Sequence, residues 1–241
     1  MIISDPGYAL AGKFDPMLPL GLTLSTDGVR TVTTFDETRD AAEYLDALPE
    51  DEIFTEKTKK HLTSLLADRM AGFGYDTEIV FATEYVLESR PDVDRSVIRT
   101  DTEPLLPEHG YDNLTECEPD PLGEGLLCFG TVIDGKIVSA AAENPHSPDD
   151  TVIDIGVETA DGHTGNGYGA SNIASLAYYL LDPGMKVTYI AEDDNIASVK
   201  IAEKVGFTPG TRELRVVCRK RQLIMRGKKV PGKNTGEMKK K

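Results

Sequence analysis

Apolar residues recur every three or four positions in two early stretches of the chain. Glu37 to Leu48 sets Ala41, Tyr44, Leu45 and Leu48 on one helical face, and Lys57 to Met70 does the same with Leu62, Leu65 and Leu66. Two amphipathic helices are expected, and the first third of the chain reads as largely helical. Between Pro91 and Pro121 the periodicity fades and five prolines (Pro91, Pro104, Pro107, Pro119 and Pro121) crowd together, which argues for a break in organisation. Beyond it the period changes to that of strands. Leu126 to Ile133 and Lys136 to Glu143 flank Asp134-Gly135, the signature of a two-residue hairpin. In Thr151 to Thr159 the residues Ile153, Ile155 and Val157 share one face, and Val152, Asp154 and Glu158 share the other. A glycine-rich turn follows, then a helix marked by Ile173, Leu176, Ala177 and Leu180 and closed by Asp182-Pro183-Gly184. Lys186 to Glu192 reads as a strand. Asn195 to Val205 reads as a helix capped by Asp193, Asp194 or Asn195 and stopped by Gly206, and Arg212 to Val217 as a last strand.

Composition narrows the class. A chain of 241 residues allows one large domain or two small ones. With 39% apolar and 28% charged residues, and no run near the roughly 18 apolar residues of a membrane span, a soluble protein without a membrane partner is expected. Met1 to Leu10 lacks the basic-then-apolar pattern of a secretory leader, so the expected location is cytoplasmic. Cys117, Cys128 and Cys218 show no CxxC spacing, and His61, His109, His146 and His163 form no HxxxH pair. Neither a disulfide framework nor a metal site is indicated. Net charge is −15, but residues 219–241 hold ten bases and one acid, leaving −24 on the first 218. Such a body repels nucleic acid and suits a cationic small molecule, although its commonest meaning is solubility. The tail carries too few apolar groups to order itself and is expected to be loose.

The glycine-rich segment GHTGNGYG carries the most chemistry. A strand that runs into Gly165, Gly167 and Gly169 and then opens a helix can present several backbone N–H groups to a diphosphate, because glycine permits close approach and a helix N-terminus favours anions. A strand-to-helix turn that needs positive φ explains the glycines equally well. No GK[ST] follows, which excludes a Walker loop, and the preceding hairpin disfavours a dinucleotide fold.

This segment and NIASVKIAEKVGF after it closely resemble the GNAT acetyltransferase superfamily. There [RQ]xxGx[GA] binds the acetyl-CoA diphosphate, and a later NxxSxxxxxKxGF-like helix flanks the pantetheine. The resemblance covers about Gly125 to Val217, and it points to the members that carry an extra N-terminal region. It implies an α/β (α+β) acyl-CoA N-acyltransferase fold: a mixed, mainly antiparallel sheet flanked by helices, with a helical region over 1–100, a core over 101–218 and a basic tail over 219–241. It implies acetyl-CoA as cosubstrate and an amine acceptor as partner, and a homodimer is left open. The implied cofactor-binding residues are Val157, Thr159, Thr164, Gly165, Asn166, Gly167, Tyr168, Gly169, Ala170, Asn195 and Ser198. For Asn195 a helix cap, and for Ser198 a helix-surface position, are alternatives of equal standing. Lys204, Gly206 and Phe207 are expected to end and pack the helix, and His163 to face solvent.

Two positions depart from the family pattern. Thr164 stands where Arg or Gln is usual, and Ala202 where many members carry the tyrosine proposed to protonate the leaving thiolate. Acetyl transfer needs a neutral amine, and a lysine-like amine loses its proton at pH 7 at a cost of about 4.6 kcal/mol, against about 1.4 for an α-amine. A base is therefore valuable, and Glu158, near the end of its strand on the face of Asp154, is the catalytic candidate. A solvated strand carboxylate is the alternative. The expected function is N-acetylation of a small primary amine. A non-catalytic acyl-CoA-binding or interaction module is the competing one, and modification of a protein amine a third.

Overall fold

Strand pairing, more than helix packing, organises this chain. The computed structural model describes residues 1–4, 17–87, 89–92, 98–99, 128–144, 151–181 and 185–220. Most of the proline-rich stretch, the tail from residue 221 that was expected to be loose, and Cys117 lie outside them. Among the described residues ten strands form one sheet in the order β1-β3-β2-β10-β4-β9-β8-β7-β6-β5. They are β1 (Ile2–Ser4), β2 (Met17–Leu24), β3 (Arg30–Thr34), β4 (Tyr75–Leu87), β5 (Ile98–Arg99), β6 (Cys128–Ile133), β7 (Lys136–Glu143), β8 (Val152–Thr159), β9 (Lys186–Glu192) and β10 (Thr208–Lys220). All neighbours are antiparallel except β1 with β3 and β8 with β9. The helices are α1 (Arg39–Ala47), α2 (Glu50–Ile53), α3 (Glu56–Gly72), α4 (Tyr168–Leu180) and α5 (Ile196–Val205). The mixed, mainly antiparallel sheet flanked by helices matches the expectation. Among the described residues no helix is long and apolar enough to cross a membrane.

Two clusters make up most of the core. The first joins Leu45 of α1, Leu62 and Leu66 of α3, Leu20 and Leu22 of β2, and Leu214 and Val216 of β10. The second joins Ile173 and Leu176 of α4, Val187 and Tyr189 of β9, and Ala202 and Phe207 at α5. The hairpin at Asp134-Gly135 is present, with φ of 51° and 77° at its two turn residues, the left-handed pair that a tight hairpin demands.

The expectation of a helical region over the first hundred residues needs correction. Helix accounts for residues 36–72, but β2, β3 and β4 belong to the sheet. Moreover β4 lies between β9 and β10, so the sheet runs unbroken across residue 100. The physical reason is visible in β4 itself. Ile79, Tyr85 and Leu87 are buried on one side while Val80 and Ala82 are buried on the other. A strand covered on both faces lacks the alternation that announces strands in a sequence.

Candidate active site

Strand β8 changes partner midway. Over Val152–Asp154 it pairs in parallel with Lys186–Thr188 of β9, and over Ile155–Thr159 it pairs with β7. Meanwhile β9 continues to Glu192 against β4. The two parallel strands therefore part after Asp154 and Thr188. The Asn144 N–H donates to the Asp154 carbonyl (2.8 Å) and the Ala160 N–H to the Val138 carbonyl (2.9 Å), so even-numbered residues of β8 turn their peptide groups toward β7. By alternation the N–H groups of Val157 and Thr159 point the other way, into the opening that β9 has left.

The glycine loop closes one end of this opening. Its turn is tied by the His163 N–H to the Ala160 carbonyl (3.0 Å) and by the Asn166 side-chain amide to the His163 carbonyl (2.9 Å). Gly167 caps α4 with φ 86°, a left-handed value that a side chain would strain. The first-turn N–H groups that follow have no intrahelical acceptor and are available to an anion. Gly169 answers a different need. A Cβ there would stand 3.0 Å from Ile201 Cδ1, 3.4 Å from Thr159 Oγ1 and 3.6 Å from Val157 Cγ2. A Cβ there would crowd the meeting of α4, α5 and β8, and Ile201 would have to give way.

A buried polar network seats α4. The Asn172 side chain, fully buried, accepts from Thr131 Oγ1 (3.0 Å) and donates to Ser139 Oγ (3.1 Å). Ser139 in turn donates to the Glu158 carbonyl (3.1 Å) and lies 2.8 Å from Thr159 Oγ1. The network thus pins β8 at the residues that border the opening. Asn172 was not legible as a site support, because a lone amide in a helical pattern reads as a solvent-facing position.

Helix α5 forms the opposite wall. Asn195 caps it, accepting from the Ser198 N–H through Oδ1 (3.2 Å), so the cap reading holds, and the residue lines the cavity as well. Gly206 ends the helix at φ 100° and Phe207 is buried against it, as expected. Lys204 differs: its Nζ lies 3.3 Å from where a Cβ at Gly167 would stand, over the glycine loop. Ala202 is fully buried in the second cluster with Tyr189 and Phe207. Burial pushes the Tyr189 phenol above its ordinary pKa, opposed by a hydrogen bond with Ser198.

These elements enclose a cavity of about 660 Å³. Every candidate residue borders it except Asn166, whose side chain braces the loop instead; His163, expected in solvent, borders it too, as do Lys200, Ile201 and Lys204. Val157 and Thr159 direct their side chains to α4, which places the Glu158 side chain across the sheet, on the face of Asp154. Four residues of strand separate the two carboxylates by about 13 Å, too far to act as a pair. Asp154 accepts from Asn144 Nδ2 (2.8 Å) and Thr188 Oγ1 (3.2 Å). Burial raises its carboxyl above the usual 3.8, a shift that those two bonds oppose. Among the described residues no cluster of three or more His, Cys, Asp or Glu side chains is placed to hold a metal ion.

No protein-family model matches the sequence, and no curated protein matches it with significance. Among solved structures the chain is similar to an acetyltransferase of the GNAT family from Novosphingobium aromaticivorans, 18% identical, covering 61% of this chain and 68% of that one at a TM-score of 0.46. It is also similar to a GCN5-related N-acetyltransferase-like protein from Streptococcus suis, 18% identical, covering 75% and 76% at a TM-score of 0.44. A third similar structure is an acetyltransferase of the GNAT family from Colwellia psychrerythraea, 16% identical, covering 63% and 61% at a TM-score of 0.43.

Proposed function

We propose that the cavity binds an acyl-CoA, acetyl-CoA foremost, and that the protein transfers the acyl group to an amine of a small molecule. One observation carries the reading: β8 parts from β9 after Asp154, beside a glycine loop that opens a helix, within one cavity. That combination offers an anion seat, a slot for an extended chain and inward-facing strand N–H groups in the order an acyl-CoA needs them. In this reading the N–H groups from Gly165 to Ala170 hold the diphosphate. The N–H of Val157 or Thr159 polarises the thioester carbonyl, where negative charge develops as the amine adds. Glu158 takes the proton that the attacking nitrogen releases. The carbon–sulfur bond then breaks, and the departing thiolate needs a proton. Ala202 supplies none, so another donor or water serves.

Release of CoA in the presence of a library of small amines tests the reading. A general base contributes about 10² to 10⁴ in rate. Glu158→Gln is therefore expected to slow turnover most near neutral pH and to recover toward the amine's own pKa, where solvent supplies the neutral nucleophile. An unaltered pH profile removes Glu158 from the mechanism.

The buried Ala202 and the uncharged, exposed Thr164 favour a second reading, an acyl-CoA-binding module without turnover. Binding of CoA with no thioester cleavage by any amine establishes it.

A further inference from the structure

Lys204 reads in the sequence as the end of a helix, yet it reaches the glycine loop. Ala197, Lys200, Ile201 and Lys204 follow one another at three- and four-residue spacing on α5, and all four border the cavity. One face of the helix therefore looks at the loop. Ile201 fixes that rotation, since its Cδ1 seats against Gly169. Lys204 Nζ consequently stands beside Gly167, the residue that caps α4.

An ammonium group at a helix N-terminus is electrostatically misplaced. The positive end of the α4 dipole and the lysine repel each other unless an anion lies between them. Charge distribution sharpens the point. The first 218 residues carry −24, but the cavity border holds one carboxylate, Glu158, against two lysines. Among the described residues neither Lys200 nor Lys204 takes part in an ion pair. In so acidic a body, an unpaired Lys204 beside the first-turn N–H groups, with unpaired Lys200 on the same cavity border, describes a seat for a polyanion.

We infer that Lys204 supplies the cationic side chain to the diphosphate of the ligand, reaching across from α5 to the loop in which Thr164 offers no charge. The inference rests on the acyl-CoA reading of the cavity and adds a specific ligand to it. It also makes phosphate binding a bridge between α4 and α5.

Calorimetric titration of wild type, Lys204→Met and Lys204→Arg with CoA and with dephospho-CoA, at low and high salt, tests it. Both ligands keep the diphosphate, and only CoA has the ribose phosphate. Lys204→Met is expected to weaken both about tenfold, the lower range for a hydrogen bond to a charged group, and to lose part of the salt dependence. Lys204→Arg is expected to restore most of both. Ligand-free melting curves, expected to coincide for all three proteins, separate lost binding from lost folding. If Lys204→Met binds both ligands like wild type, the inference is overturned while the cavity reading stands. Weakening of CoA alone assigns Lys204 to the ribose phosphate and overturns it too. Absence of wild-type binding to either ligand removes the cavity reading itself.

Discussion

The two ends of the sheet are built for different ends. Where β2, β3, β4 and β10 meet α1 and α3, strands pair over most of their lengths and the apolar cluster is mainly aliphatic, with Leu20, Leu22, Leu45, Leu62, Leu66 and Leu214 buried beside Thr34, Thr38 and Thr58. Where β7, β8 and β9 meet α4 and α5, pairing is interrupted and the core is made of smaller and more polar groups. Ala141, Ala177, Ala191 and Ala202 are buried there, as are Ser139, Asn172 and Thr188. Small residues let helices and strands approach, and the buried polar network holds one arrangement of them. Regular packing therefore supplies stability at one end, and departures from it supply the cavity at the other. β4 and β10 join the two.

The comparison breaks most visibly under truncation of a large core side chain. Leu62→Ala in α3 is expected to cost about 2–5 kcal/mol of stability, the range for a buried leucine, while the folded fraction keeps its affinity for CoA. Leu176→Ala in α4, equally buried, is expected to cost a similar amount and to weaken CoA binding as well, because α4 carries the loop. Urea denaturation with calorimetric titration measures both. Equal affinity in the two variants would remove the distinction between the ends.

Next in size is Gly167→Glu. A side chain at φ 86° costs about 1–2 kcal/mol, and a carboxylate there occupies the anion seat. Ligand at a hundred times Kd is expected to stabilise the wild type by about 2.7 kcal/mol and the variant not at all. Thermal melts with and without CoA provide the comparison, and an equal ligand response in both proteins would place the site elsewhere.

Asn172→Ala comes third. It strips a partner from Thr131 and from Ser139, and a buried polar group left without its bond costs about 1–3 kcal/mol. Since Ser139 also holds β8 at Glu158 and Thr159, CoA affinity is expected to fall with stability. A stability loss with unchanged affinity would show that the network supports α4 without shaping the opening.

Legibility followed the same divide. The turn at Asp134-Gly135, the end of α5 at Gly206 and the strand from Lys186 to Glu192 depend on residues adjacent in the chain, and the sequence announces them. The candidate loop was legible for the same reason: Gly165 and Gly167 answer local backbone needs. β4 was not, because both its strand neighbours, β9 and β10, come from the far half of the chain and both its faces are buried. Asn172 was hidden by its polarity, and the brace that the Asn166 side chain gives the loop's own turn was not read from the sequence. The reach of Lys204 depends on the seating of Ile201 on Gly169, a contact between two helices that spacing within either cannot reveal.

The smallest expected effect separates the two ends by pH. Asp40, at the end packed by α1 and α3, is held at about 2 chiefly by its hydrogen bonds with Arg69 at 2.8 Å. Its folded form binds a proton less readily than the unfolded chain, whose value is near 3.8. The stability it contributes is therefore present above that value and is lost as pH falls toward 2. Half-exposed as it is, the pair is worth about 0.2–1 kcal/mol. Asp154, at the cavity end, is shifted upward, chiefly by burial, so the sign reverses: its contribution is fullest below 3.8 and is lost as pH rises through its folded value. Denaturation at stepped pH on Asp40→Asn and Asp154→Asn checks both signs. Relative to wild type, Asp40→Asn should flatten the acid-side loss and Asp154→Asn the loss that sets in as pH rises from 3.8. Identical slopes in the two variants would mean that Asp154 is hydrated, and that the opening beside β8 admits water as far as the point where the strands part.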